Sequence, residues 1–195
     1  VDKGLNPNKF GRRLSFFFNA HNGFLTEIAK FRAARQIWAT IMKDRFDVTD
    51  EKALKCRFHT QTGGSTLTAS QIDNNVVRTT IQALSAVLGS TQSLHTNSRD
   101  EALALPTDKS AKLALRTQQI IAHESDIPEY PDPFGGSHVI ESMTADLAEE
   151  ATKIIKTIDG LGGSVSAIEQ GYIQNEISRS ACEYQKNIDK KNQII

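Results

Sequence analysis

Short apolar runs alternate along the chain with longer stretches in which apolar residues recur every three or four positions. That alternation is the pattern of a parallel α/β fold. Leu14-Ser15-Phe16-Phe17-Phe18 is a continuous apolar run that predicts a strand buried on both faces, ending at the polar loop Asn19 to Gly23. A helix is expected from Phe24 to about Arg45, with Phe24, Ile28, Phe31, Trp38, Ile41 and Met42 on one face. Leu54 to His59 predicts the second strand, followed by a polar, Gly-rich loop from Thr60 to Asn75. The next helix carries Val76, Val77, Thr80, Ile81, Leu84 and Leu88, capped by Asn74 or Asn75 and closed by Gly89. Ser93 to Thr96 opens a third unit, whose helix starts near Thr107 and turns Leu113, Thr117, Ile120 and Ile121 inward.

A fourth unit is less regular. Asp132-Pro133-Phe134-Gly135-Gly136 is turn chemistry and His138-Val139-Ile140-Glu141 predicts a last strand. Thr144 then caps a helix that buries Leu147, Ala151, Ile154, Ile155 and Ile158. Ser166 and Glu169 have capping-box spacing, and a helical tail runs on to about Asp189. Four strand-helix units are half of a (β/α)8 barrel, a fold of about 250 residues. The expected architecture is the C-terminal half of a TIM barrel over residues 1–143, with a C-terminal helical segment, residues 144–195, packing on it. An open doubly wound sheet is the competitor, but no Gly-rich phosphate fingerprint follows the first strand.

Composition narrows the function. The 195 residues are 38% hydrophobic and 24% charged, enough for a packed core. Lys plus Arg balance Asp plus Glu at 23 each, which argues against a nucleic-acid surface. No run reaches the roughly 20 apolar residues that span a bilayer. Cys56 and Cys182 are expected as buried free thiols, which fits a reducing compartment. The first residues hold neither an initiating methionine nor a signal-peptide core, as in a piece of something longer.

The loops that follow barrel strands carry the chemistry. His59 and His95 each end a strand, yet neither has a second ligand at metal-like spacing, so shaping a pocket is the better role for both. Gly63-Gly64-Ser65-Thr66 suits a phosphate cradle, a close approach to a flat ligand, or a plain turn. Arg12-Arg13 would meet a phosphate or stay solvated, and Asp100-Glu101 would cap a helix or accept a hydrogen bond. Residue chemistry alone describes a ligand-binding half-barrel with no assigned reaction.

At these loops the sequence resembles the methylmalonyl-CoA mutase family. The resemblance runs through Arg13 to Asn22, Glu27 to Arg35, His59 to Thr68 and Asn74 to Leu84. It continues through Thr91 to Asn97, Asp100 to Thr107 and Asp132 to Ser137, in family order. Ser65 stands where some members carry Trp, and His138 where Tyr is common. The resemblance implies an isomerase that binds adenosylcobalamin and an acyl-CoA and rearranges a carbon skeleton through radicals. Arg13 and Ser15 match coenzyme A contacts. Phe17 and Gln61 match residues lining the cavity, with His59 beside them. Gln61, Gly64, Glu101, Ala102 and Leu105 match cobalamin contacts. The cobalt ligand and the radical-handling residues would come from a cobalamin-binding domain or subunit and an N-terminal half-barrel, since the Asp-x-His-x-x-Gly motif is not in this chain. The resemblance thus implies an oligomeric, cytoplasmic or mitochondrial-matrix enzyme of which this chain is an incomplete part. The alternatives are a non-enzymatic half-barrel module completed by another chain, or an isobutyryl-CoA-type mutase.

Overall fold

The computed structural model describes residues 4–194 and divides into two compact units, Val1–Ala148 and Glu149–Ile195. The first unit is built on a three-stranded parallel sheet, in the order β1 (Phe16–Ala20), β2 (Phe58–Thr62), β3 (Ser93–His95). Ahead of β1 lie α1 (Pro7–Phe10) and a single 3-10 turn, Gly11–Arg13. The crossovers are α2 (Phe24–Asp44) with the short α3 (Glu51–Leu54), and then α4 (Asn74–Leu88); α5 (Asp108–His123) follows β3. The fold is α/β, as the alternation predicts. No helix of the described residues is long and apolar enough to cross a membrane.

Only one face of the sheet is covered. Phe16, Phe18, Ala20, Phe58 and Leu94 pack with Phe31, Trp38, Cys56 and Ala86 of the neighbouring segments. Phe31 and Phe58 stack with ring centroids 5.2 Å apart, and Phe18 meets Phe58 edge-on at 5.1 Å. A second cluster joins Ile28, Leu88 and Ile140, and a third gathers Met42, Val48 and Ala53 around the α3 turn, where Trp38 Nε1 donates to Ala53 O at 3.1 Å. Gly89 ends α4 with ordinary φ, so handedness is not what requires it. A Cβ there would stand 2.3 Å from Phe31 Cδ2, so the close packing of α2 on α4 does.

Several expectations need correction. The first apolar run is not buried on both faces: the strand begins at Phe16, and Phe17 is 64% exposed on the uncovered side. The second strand lies four residues later than the apolar run suggests. Asp50 accepts hydrogen bonds from Lys52 N and Ala53 N and nucleates α3 over Glu51–Leu54 instead. Thr60 and Thr62 are buried on the covered side of β2, where Thr60 Oγ1 is 2.8 Å from Thr91 Oγ1 and Thr62 Oγ1 donates to Asn97 Oδ1 at 3.0 Å, and Gln61 between them faces the open side.

The fourth strand is absent, so the described residues hold three strand-helix units rather than four. His138 to Glu141 is the first turn of α6 (His138–Gly160), where Glu141 N donates to Ser137 O at 2.9 Å and Ile140 packs with Ile28 and Leu88. A four-residue apolar run has no period of its own with which to choose helix or strand. Thr144 is therefore a buried mid-helix residue that donates to Ile140 O at 2.6 Å, not a cap. Leu113, Ile120 and Ile154 are exposed, while Thr117 and Ile121 are buried.

The second unit holds the end of α6, α7 (Ser164–Glu169) and α8 (Tyr172–Asp189). The capping box does not form: α7 opens from Gly163, and Ser166 inside it accepts from Gln170 Nε2 at 2.8 Å. Cys182 on α8 is exposed, against expectation, whereas Cys56 is 6% exposed and burial pushes its thiol pKa up. A thiol-specific probe at neutral pH is expected to modify Cys182 quickly and Cys56 only in urea, as read by mass spectrometry. Equal rates would show the sheet core to be open.

Candidate functional site

The uncovered face of the sheet presents two cross-strand rows. Phe17 pairs with His59 and His59 with Ser93; Asn19 pairs with Gln61 and Gln61 with His95. Side chains alternate across a strand, so these six share the face opposite the aromatic core. In the first row the Phe17 and His59 rings lie 5.1 Å apart, and His59 Nδ1 is 2.7 Å from Ser93 Oγ. In the second, Gln61 Nε2 donates to Asn97 Oδ1 at 3.3 Å. These bonds run sideways along a face that is exposed at Phe17, Asn19, Ser93 and His95.

Above the strand ends the three following loops are tied to α4 by two buried amides. Gln82 Oε1 accepts from Gly63 N at 2.9 Å, and its Nε2 donates to Asn22 Oδ1 at 3.1 Å and Thr66 Oγ1 at 2.8 Å. Asn75 Nδ2 donates to Thr68 O and Arg99 O at 2.9 and 2.8 Å, and Asn75 Oδ1 accepts from Thr68 N and Arg78 Nη1 at 3.2 and 2.8 Å. Asn75, Thr79, Gln82 and Ala86 form a buried stripe along α4 at helical spacing. The sequence reading gave Asn75 a capping role and missed Gln82. Polar side chains on a helix's inward stripe were the available signal, because most such groups are bonded when buried; Thr79 Oγ1, without a partner among the described residues, is the exception in this stripe.

Glu27 was also missed. It is 6% exposed, accepts from His21 N at 2.7 Å and pairs with Lys30, so it braces the loop after β1. Gly23 opens α2 at φ 98°, a conformation that favours glycine.

At the β2–β3 end, Asn97 is 2% exposed. Its Oδ1 accepts from Thr62 Oγ1 at 3.0 Å, its backbone N donates to the same hydroxyl at 2.9 Å, and its Nδ2 is buried without a partner among the described residues. A Cβ on Gly64 would lie 2.7 Å from Asn97 Nδ2 and 3.1 Å from Glu101 Oε1, so absence of a side chain at Gly64 lets these two groups close over the loop. Of the amides in the phosphate-cradle reading, Gly63 N is already shared between Ala20 O and Gln82 Oε1. Beyond, Glu101 and Ala102 are exposed and Leu105 is 91% exposed. Asp100 does not cap α5 itself. It accepts from Ser98 Oγ at 2.7 Å and from Thr107 N at 3.3 Å, while Thr107 caps the helix.

Arg13 and Ser15 sit at the other end, before β1, beside a cleft of about 700 Å³ lined by Lys9, Phe10, Arg12 and Arg13. The structure therefore gathers Phe17, His59, Gln61, Gly64 and Glu101 along one face and its upper loops, and sets Arg13 and Ser15 a strand-length below. Five strand residues separate the two ends by about 16 Å. Among the described residues no group of three His, Cys, Asp or Glu could hold a metal ion.

The parallel sheet thus carries an exposed face, with the loops after its strands gathered at one end. The methylmalonyl-CoA mutase family model matches residues 1–195, and the chain belongs to that family. It is 47% identical over 180 residues to the 2-hydroxyisobutanoyl-CoA mutase large subunit of Aquincola tertiaricarbonis, covering 92% of this chain and 32% of that protein. It is 46% identical over 195 residues to the probable mitochondrial methylmalonyl-CoA mutase of Caenorhabditis elegans, covering 100% of this chain and 26% of that protein. With the methylmalonyl-CoA mutase of Rhizobium meliloti it shares 45% identity over 193 residues, 99% of this chain and 27% of that protein. The chain thus spans between a quarter and a third of these relatives, whose names are those of isomerases.

Asn75→Ala would strand Thr68 N, Thr68 O and Arg99 O; it is expected to lower unfolding free energy by about 3 kcal/mol, measured by urea denaturation. A change under about 0.5 kcal/mol would show that the loops hold without it. The Asp100 pKa is lowered to about 2, chiefly by the Ser98 hydroxyl. Because the folded value lies below the unfolded one, its stabilisation is complete above the unfolded pKa of about 3.9 and is lost as pH falls towards 2. Asp100→Asn is expected to flatten that acid limb of a stability-versus-pH curve.

Proposed function

We propose that this chain forms one wall of a (β/α)8 barrel in an adenosylcobalamin-dependent acyl-CoA mutase and supplies coenzyme A and cobalamin contacts to it. The observation that carries the reading is the one-sided sheet. A parallel sheet ordinarily has both faces covered, and here the open face is polar, with basic residues at one end and a gathered loop layer at the other. A long ligand with an anionic end and a small reactive end suits that axis.

In this reading Arg13 and Ser15 hold a phosphate of coenzyme A by charge-assisted hydrogen bonds. Phe17 and His59 wall the passage, Phe17 excluding water and His59 fixed through Ser93. Gln61, oriented by Asn97, places its amide beside the reacting group. The loop layer fits a bulky polar cofactor: Asn97 Nδ2 is a buried donor without an acceptor, Glu101 offers a carboxylate beside Gly64, and Leu105 presents uncovered apolar surface. Gly64, Glu101, Ala102 and Leu105 would hold adenosylcobalamin there, its cobalt ligand coming from another domain or subunit. That cofactor supplies a radical by homolysis of its cobalt–carbon bond; the protein's part is orientation and exclusion of water.

Relatives named for methylmalonyl-CoA and for 2-hydroxyisobutanoyl-CoA match to the same degree. The segment therefore encodes what such mutases share, and the isomerised acyl group is selected elsewhere. The mitochondrial names among the relatives support a matrix location in a eukaryote and a cytoplasmic one in a bacterium.

The chain alone, with adenosylcobalamin and methylmalonyl-CoA, is expected to give no succinyl-CoA, and to give it when produced with the remaining barrel and the cobalamin domain of a relative. Gln61→Ala in that assembly is expected to lower kcat about a hundredfold with a smaller change in KM. Robust turnover by the chain alone would refute the incomplete-wall reading. An assembly that forms without activity or coenzyme A binding would refute the mutase reading.

A further inference from the structure

We infer that Arg57 is the positioning residue that presents Arg13 and Ser15 to an anionic ligand. The inference rests on the proposed coenzyme A reading for the ligand and on hydrogen bonds for the mechanism. Arg57 immediately precedes β2, and its carbonyl accepts from Phe16 N at 2.9 Å, which starts the β1–β2 ladder. Its side chain turns back along the same segment. Nη2 donates to Arg12 O and, at 3.2 Å, to Leu14 O. One guanidinium nitrogen thus grips the carbonyls on both sides of Arg13.

The consequence is chemical as well as geometric. Carbonyl oxygens beside Arg13 would oppose an incoming phosphate; bonded to a cation, they do so less. Arg12 lies against Asp50, whose backbone N is held by Asn8 Oδ1 at 2.8 Å, so it belongs to the α1–α3 corner. Neither Arg13 nor Arg57 pairs with a carboxylate among the described residues; Arg13 lines the basic cleft, and Arg57 also borders a separate cleft with Arg35 and Lys55. Arg57 was unremarkable in the sequence, an arginine beside an apolar run. Only the parallel pairing of β1 with β2 brings it to Arg12 and Leu14, more than forty residues earlier.

The test uses the 195-residue chain with coenzyme A as probe, by calorimetry at low salt and at 0.5 M NaCl, together with amide hydrogen exchange. Arg57→Met is expected to weaken coenzyme A binding about tenfold at both salt concentrations. It should also speed exchange at Leu14 and Phe16 while leaving β3 unchanged. Arg57→Lys, which keeps the charge but shortens the reach, is expected to fall between, about threefold weaker. A loss confined to low salt would mean charge alone and would overturn the positioning role, as would unaltered affinity and exchange in Arg57→Met. Should Arg57→Met fail to fold, wild-type affinity and exchange in Arg57→Lys would overturn it. If the wild-type chain binds no coenzyme A, the coenzyme A reading falls and the exchange at Leu14 and Phe16 decides the clamp by itself.

Discussion

The upper half of this structure depends on two amides, Asn75 and Gln82. Each can donate and accept at once, which is what joining loops requires, because loop backbones expose both kinds of group. From a single stripe of α4 they reach the loops after all three strands: Asn22, Gly63 to Thr68, and Arg99. A buried amide with satisfied partners specifies one loop arrangement, since any shift leaves a donor or acceptor unpaired in a medium without water. The position of Asn97 against Gly64, and of Gln61 against Asn97, follows from that arrangement.

The sheet beneath is energetically lopsided. On one side Phe16, Phe18, Phe31 and Phe58 supply aromatic burial and ring contacts. On the other, Phe17 stands 64% exposed among polar neighbours. Natural sequences are consistent across levels except where function intervenes. The open face departs from the two-sided covering usual in parallel sheets. The chain spans between a quarter and a third of the length of the relatives it matches.

Charged groups gather at both ends of the strands. The end before β1 carries Lys9, Arg12 and Arg13 along a cleft, with Arg12 3.7 Å from Asp50, and Arg57 bonded to the backbone on both sides of Arg13. The upper end carries Glu27, Asp100 and Glu101, two of them already bound into local networks through His21, Lys30, Ser98 and Thr107. Lys30, Arg78 and Arg99 lie in the same loop layer, so both signs of charge meet there.

By itself the sequence determined the α/β class, the extents of α2, α4 and α5, and the family, because long periodic helices and contiguous loop motifs are local properties of the chain. It also identified Gln61, Gly64 and Glu101 as residues worth placing, through resemblance rather than spacing. Tertiary structure decided the rest. It turned His138 to Glu141 into helix, because a short apolar run takes whichever form buries it, and Ile140 is buried against Ile28 and Leu88. It moved β2 four residues along, because an Asp50-capped turn takes Leu54, the buried Thr60 and Thr62 find partners in Thr91 and Asn97, and Gln61 takes the open face. It gave Asn75, Gln82 and Arg57 their roles, because hydrogen bonds between residues distant in sequence exist only once the strands have paired in parallel and the helix has closed over them.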